Sequence, residues 1–204
     1  MAKYKAHIIH DDNPINPRED FDINIGTIVY KHSKYVLGDL PIDDAIDFLE
    51  DMLGLKHRGV YNNERLSDLE KLFMREFIVH RVYLYDHSGI AISTEPFQCT
   101  FDSGQIGWIY TTKEKARKFL GIKRLTQKNR RGIKKMLNFE IEKYGNFLSG
   151  NFYGVIVQHE DGDEVASCYG FSGSDWKNNG ISEFVYSQVN GNGEKHEIEF
   201  VEDF

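Results

Sequence analysis

Over residues 126–147 the apolar side chains Ile133, Leu137, Ile141 and Tyr144, continued by Leu148, recur every three or four positions. That spacing predicts one long helix with a single apolar stripe, and such a stripe must be buried against another element. Its remaining faces are basic. Elsewhere the chain switches between periods. Residues 4–10 (Tyr-Lys-Ala-His-Ile-Ile-His) read as a first strand and 25–30 as a second, dominated by β-branched residues. Residues 77–85, 90–93 and 105–110 continue the series. Residues 152–158 and 164–169 flank the acidic turn Glu160-Asp161-Gly162-Asp163 and predict a hairpin.

The other helices are marked by punctuation. Asp39 is placed to cap a helix with Pro41 in its first turn and Gly54 at its end. Ile42, Ala45, Ile46, Leu49 and Leu53 supply its apolar stripe. A second helix is expected over 63–73, with Leu66, Leu69, Leu72 and Phe73 facing inward. Thr111 and Glu114 have capping-box spacing, which starts a helix running to Leu120 before Gly121 breaks it. Phe119 is assigned to the core of that helix. Beyond Gly173 the chain is polar, with 184–189 and 196–201 expected as a last pair of strands. These elements predict an α+β fold: a single compact domain with a mostly antiparallel sheet and about four helices. Residues 1–172 form the expected core, and 173–204 a polar extension packed on or beside it.

Composition narrows the function classes. An apolar share of 40 %, with 13 % aromatic residues, supports a sizeable core and excludes disorder of the whole chain. No apolar run approaches the roughly 20 residues of a membrane helix, so no membrane partner is expected. The first residues read into a strand rather than a signal peptide. Cys99 and Cys168 are too few for a disulfide scaffold and too far apart for a CxxC motif. They read as buried, reduced thiols, which points to the cytoplasm.

Charge is strongly partitioned. Residues 113–135 hold 11 of the 25 basic residues and one acid, Glu114, a formal +10 within a chain of net −7. The remainder therefore carries −17, and a split of this size points to an electrostatic role. Lys128, Arg130, Arg131, Lys134 and Lys135 are the candidate contacts of the basic helix, which could follow a nucleic-acid backbone. Asp43, Asp44, Asp47, Glu50 and Asp51 form an acidic helix face. With the acidic tail (Glu194, Glu197, Glu199, Glu202, Asp203), that face could imitate a phosphate track and occupy a nucleic-acid-binding protein.

Two short segments gather catalytic residue types at strand ends: Tyr85-Asp86-His87-Ser88-Gly89 and Phe101-Asp102-Ser103-Gly104-Gln105-Ile106-Gly107. Adjacent Asp86, His87 and Ser88 cannot line up as a triad, so an enzyme would draw on Asp86, His87, Asp102 and Ser103 from both segments. No GxSxG elbow is present. Asp12, Asp86, His87 and Asp102 are the candidate ligands of a divalent metal, for a hydrolase acting on a nucleotide or phosphodiester. HExxH, CxxC, EF-hand and phosphate-binding loops are absent. The aspartates equally suit turn-capping, and no cofactor is expected on that account.

Several strings recur together: Asn16-Pro17-Arg18-Glu19, Asn24-Ile25-Gly26-Thr27-Ile28-Val29, Tyr35 with Leu37-Gly38-Asp39, Leu84-Tyr85-Asp86-His87-Ser88-Gly89-Ile90, Asp102-Ser103-Gly104-Gln105-Ile106-Gly107 with Ile109-Tyr110, and Tyr153-Gly154 with Ser167-Cys168-Tyr169-Gly170-Phe171. As a set they resemble a group of small accessory proteins carried by bacteriophages and other mobile elements. The similarity spans most of residues 8–172 and leaves the tail outside. It implies a genomic context and a host bacterial cytoplasm, and carries over no catalytic residue. Because such accessory proteins often disarm host defences, it implies a non-enzymatic inhibitor of anti-CRISPR or anti-restriction type. Its partner would be a host defence or nucleic-acid-processing protein, met through charged surfaces.

Overall fold

A computed structural model describes residues 2–19, 24–190 and 196–204. Asp20 of the first turn and Glu194 of the acidic tail lie outside the described residues. The fold is α+β, with two mixed, mainly antiparallel sheets and five helices. Contacts divide the chain into two compact units, residues 1–17 with 146–204 and residues 18–145. These boundaries differ from the expected 1–172 core and 173–204 extension.

In the first unit, β1 (Lys3–His10) pairs antiparallel with β7 (Phe152–His159), which pairs with β8 (Glu164–Ser172). β9 (Glu197–Glu202) adds to β1 in parallel, giving the order β8-β7-β1-β9. Alternation puts Ala6, Ile8, Val155 and Val157 on the buried face. The helix α5 (Ile181–Val189) covers them with Ile181, Val185 and Val189, one residue per turn. Residues 184–189 are therefore helical, not a strand. The tail supplies both the covering helix and an edge strand.

The second unit contains a sheet ordered β3-β2-β6-β4-β5, from β2 (Thr27–Tyr30), β3 (Leu40–Pro41), β4 (Ile78–Asp86), β5 (Ile90–Ser93) and β6 (Ser103–Thr111). On one face α1 (Ala45–Met52) and α2 (Asn63–Glu76) bury Leu49, Leu69 and Phe73 against Val29, Val79 and Trp108. Ile28, Ile78 and Ile109 alternate onto the other face and are fully buried. The long helix α4 (Gln127–Leu148) contributes Ile133, Leu137 and Ile141, also fully buried, as its apolar spacing predicts. Thr126 and Asn129 cap it reciprocally: Asn129 N–H donates to Thr126 Oγ1 at 3.2 Å, and Thr126 N–H to Asn129 Oδ1 at 3.0 Å. Among the described residues no helix is long and apolar enough to cross a membrane.

Two caps fall elsewhere than expected. Asp44, not Asp39, caps α1, accepting from Ile46 N–H at 2.7 Å. Thr112, not Thr111, caps α3 (Lys113–Leu120), accepting from Lys115 N–H at 3.0 Å. Gly121 ends α3 in the left-handed region at φ 65°, as the sequence predicts. The cysteines are also corrected: Cys99 is exposed and Cys168 half-buried.

Asp39 is released from capping because it holds Arg18. The Arg18 side chain is only 6 % exposed and donates to Asp39 through Nε at 2.9 Å and Nη2 at 2.6 Å. Its Nη1 donates to Glu140 of α4 at 2.8 Å and to Asn24 Oδ1 at 3.0 Å, and Nη2 also reaches the Gly26 carbonyl. Glu140 in turn accepts from Ile25 and Gly26 N–H at 2.9 and 3.1 Å, and Asp39 from Ile28 N–H at 2.7 Å. A Cβ on Gly26 would stand 2.7 Å from both Ile109 and Leu137, so the backbone must pass bare between sheet and helix. One on Gly107 would collide with the Val29 carbonyl oxygen of the neighbouring strand.

Removing one partner of a buried ion pair strands the other charge. Asp39→Ala is therefore expected to cost about 3–5 kcal/mol, read as a lower urea midpoint by far-ultraviolet dichroism. A loss under about 1 kcal/mol, the scale of an exposed pair, would remove the network from this role.

Candidate functional site

The His87 and Asp102 segments meet, but as a turn. Asp86 N–H donates to the Asp102 carbonyl at 2.9 Å, and Ser88 sits at φ 51° in the tight β4–β5 connection. His87 Nδ1 lies 3.2 Å from Asp102 Oδ2, with the Cys99 thiol 3.8 Å from the same oxygen. Ser103 Oγ donates to the Cys99 carbonyl, so its hydroxyl hydrogen bonds away from the imidazole. The Asp86 carboxylate makes no hydrogen bond or ion pair among the described residues. What results is a His–Asp pair, 62 % and 33 % exposed, with no nucleophile hydrogen-bonded to the base. Asp12 belongs to the other unit, beside Asp11, whose carboxylate accepts from Asn13 and Gly170 N–H.

Within the second unit, Asp86, His87 and Asp102 do not form a group of three converging donors among the described residues. Among the described residues one trio has carboxylate and imidazole donors all within 4.8 Å of one another: Asp47, Glu50 and His57. Those groups already have partners. Glu50 is 1 % exposed and accepts from Arg65 Nε at 3.1 Å and Nη2 at 2.6 Å, and the guanidinium holds its carboxyl below the usual carboxylate range. His57 bridges Asp51 at 2.7 Å and Asp47 at 3.4 Å. A divalent ion would have to draw Glu50 away from Arg65 and His57 away from Asp51.

The same contacts dismantle the acidic face of α1. Glu50 is buried and cannot be a surface contact. Asp44 is a cap with Lys31 at 3.6 Å, Asp47 accepts from Tyr61 OH at 3.0 Å, and Asp51 pairs with His57. Of the five, Asp43 alone has no polar partner among the described residues. The tail is paired as well: Glu197 with Lys3 at 3.7 Å, Glu199 with Lys5 at 3.6 Å, and Asp203 with His7 at 2.7 Å.

The basic segment behaves differently. Among the described residues, Lys113 alone of its eleven cations meets a carboxylate, Glu76, at 3.1 Å. Lys115 Nζ donates to the Asn24 carbonyl at 3.1 Å and Arg130 Nη2 to the Phe77 carbonyl at 3.0 Å. Arg117, Lys118, Lys123, Arg124, Lys128, Arg131, Lys134 and Lys135 have no ion pair or side-chain hydrogen bond among the described residues. On α4, Lys128, Arg131 and Lys135 recur at three- and four-residue steps, opposite the buried stripe. Phe139 continues that row and is 62 % exposed. Phe119 on α3 is 50 % exposed, a correction to its expected place in the core. Sequence reasoning passed over Phe139, although its phase, four residues past Lys135 and outside the Ile133–Leu137–Ile141 stripe, marks it as outward-facing.

Beside this row lies an open groove of about 420 Å³, lined by His80, Thr94, Glu95, Lys134, Lys135, Asn138 and Glu142 among others. Its polar groups are largely used. Thr94 donates to Asn138 Oδ1, Asn138 Nδ2 to Glu142 at 2.7 Å, and His80 Nε2 lies 3.1 Å from the Lys134 carbonyl. Burial, reinforced by the Lys134 ammonium, pushes the His80 imidazole down toward its neutral form. The groove mixes both charge signs and shares Lys135 with the row. Comparison of the chain with protein-family models, curated proteins and solved structures finds no match.

The His57 bridge has a pH signature. Its hydrogen bond to Asp51, with Asp47 and Glu50 nearby, raises its pKa above the usual 6.5. A raised value in the folded state means a stabilising contribution present in full below the unfolded pKa and lost as pH rises through the folded one. This contribution should be lost as pH rises above about 6.5 in the native chain, and the loss should be absent in His57→Gln. Identical pH profiles of urea midpoint for the two proteins would exclude the bridge as the cause.

Proposed function

We propose that this chain is a non-enzymatic binding protein that holds nucleic acid through the basic face of α3 and α4. The observation that carries the reading is the group of eight cations, from Arg117 to Lys135, that make no ion pair or side-chain hydrogen bond among the described residues. Lysine and arginine left unpaired have no internal Coulomb energy to give up when they meet phosphates. Release of condensed counterions from the nucleic acid then drives association. The scaffold favours this use, because α4 is held to its sheet by buried apolar residues and by Glu140.

The acidic helix supports the alternative of a phosphate mimic less well, since Asp44, Asp47, Glu50 and Asp51 are already paired within the unit. The hydrolase alternative has an exposed His–Asp pair and no gathered metal ligands around it. In a bacteriophage or mobile-element protein, as the sequence resemblance implies, binding of this kind would occupy the nucleic acid on which host defence and processing enzymes act. It would operate in the host cytoplasm.

Binding to a labelled oligonucleotide should weaken steeply with salt, with a logarithmic slope of about −0.7 to −0.9 per phosphate neutralised. The reversal Lys128→Glu/Arg131→Glu/Lys135→Glu touches only exposed side chains and should leave the fold intact. It should lower the affinity by more than about tenfold and flatten the slope by roughly 2–3. Affinity indifferent to salt, or unchanged in the triple variant, would overturn the proposal.

A further inference from the structure

We infer that the nucleic acid is single-stranded, and that Phe119 and Phe139 are the platforms on which its unpaired bases stack. The inference rests on the basic-face reading and adds the class of ligand. Two phenyl rings stand 50 % and 62 % exposed on the two helices that carry the unpaired cations. An exposed phenylalanine forgoes the roughly 1.5–3 kcal/mol that burial would supply, and both helices had an alternative. On α3 the core is met by Ala116, one turn away, while Phe119 points outward. On α4 Phe139 follows Lys128, Arg131 and Lys135 along one row, about 6 Å along the axis past Lys135 at 1.5 Å per residue.

A row of cations that ends in an exposed ring matches a single strand on both of its chemical faces. Phosphates are met by ammonium and guanidinium groups, and a base with no pairing partner can lay its π-face on a phenyl ring. A duplex presents the same phosphates but keeps its base faces stacked inside, so the rings would gain nothing from it unless they were driven between base pairs as wedges. The acceptor and donor edges of the bases are not engaged by a phenyl ring, so little sequence preference is expected. Lys135 stands one turn from Phe139, so that a phosphate contact and a base contact follow one another along the surface of α4.

Fluorescence anisotropy separates the parts. Oligo-dT, oligo-U and a duplex of equal length are titrated with the full chain, with Phe119→Ala, with Phe139→Ala and with Phe139→Trp, each at several salt concentrations. The native protein should bind both single strands about tenfold or more tighter than the duplex. Each alanine variant should weaken single-strand binding about tenfold while leaving duplex affinity and the salt slope unchanged. Phe139→Trp should restore or strengthen binding, which a merely structural role for the ring would not produce. Equal affinity for duplex and single strands, tighter duplex binding, or alanine variants that bind single strands normally would overturn this inference while the basic face stands. No binding to any of the three at low salt would remove the basic-face reading and the inference together.

Discussion

A single guanidinium, buried between two carboxylates and reached by carbonyl and amide groups, organises the second unit. Arg18 ties together four separate stretches: Asn24 to Gly26, Asp39 ahead of β3, Ile28 of β2 through Asp39, and Glu140 in the middle of α4. One cation between two anions leaves a net negative charge, which the N–H groups of Ile25, Gly26 and Ile28 help to absorb. Burial opposes the charge on Arg18, and hydrogen bonds to Asp39 and Glu140 more than offset that, so its pKa is raised. A buried pair of this kind adds little net stability over an apolar substitute, but breaking it is expensive. Its effect is geometric: the register of α4 on the sheet is tied to residues more than a hundred positions earlier.

That register matters for function because the outward row of α4 is the opposite side of the same helix. With Ile133, Leu137 and Ile141 fixed inward, Lys128, Arg131, Lys135 and Phe139 have to face out. The residues that carry the resemblance to mobile-element proteins and those that carry the exposed charge form different sets. Arg18, Asn24, Gly26, Asp39 and Gly107 are accounted for by the ion network or by close backbone approach. None of the resembling strings falls in 113–135. Those motif residues describe how the second unit is held together.

Much of the fold was legible because periodicity alone decides it. The stripe of α4, the β7–β8 hairpin and the β4–β5 turn match their expected positions closely. Failures arose where two local answers were equally good and a distant residue chose between them. Asp39 and Asp44 both suit a helix cap, and the choice fell to Arg18, 21 residues before Asp39. Residues 184–189 form a short apolar run that fits helix or strand, and only the face of the first unit's sheet made it helical. Of the cluster at the strand ends, His87 and Asp102 pair at 3.2 Å while Ser88, at φ 51°, serves the tight β4–β5 turn. The groove was hidden because His80, Thr94 and Asn138 come from three elements far apart in sequence.

An overall charge of −7 is compatible with binding a polyanion because charge acts locally. The Debye length is about 8 Å near physiological ionic strength, so a phosphate close to α4 senses the nearest side chains and little beyond them. The pairs outside the segment, among them Arg65 with Glu50, Arg81 with Glu70, and Lys3 and Lys5 with Glu197 and Glu199, are already netted out of the −17, so screening over distance is what lets a local sign differ from the total. Glu70 illustrates how complete such pairing can be. Burial pushes its carboxyl up, yet hydrogen bonds from Arg81, Trp108 and Gln105 bring it below the usual range. Anions paired at home project weak fields, while cations left without partners project strong ones. The charge asymmetry of this chain is therefore local, and the net charge does not describe the surface of 113–135.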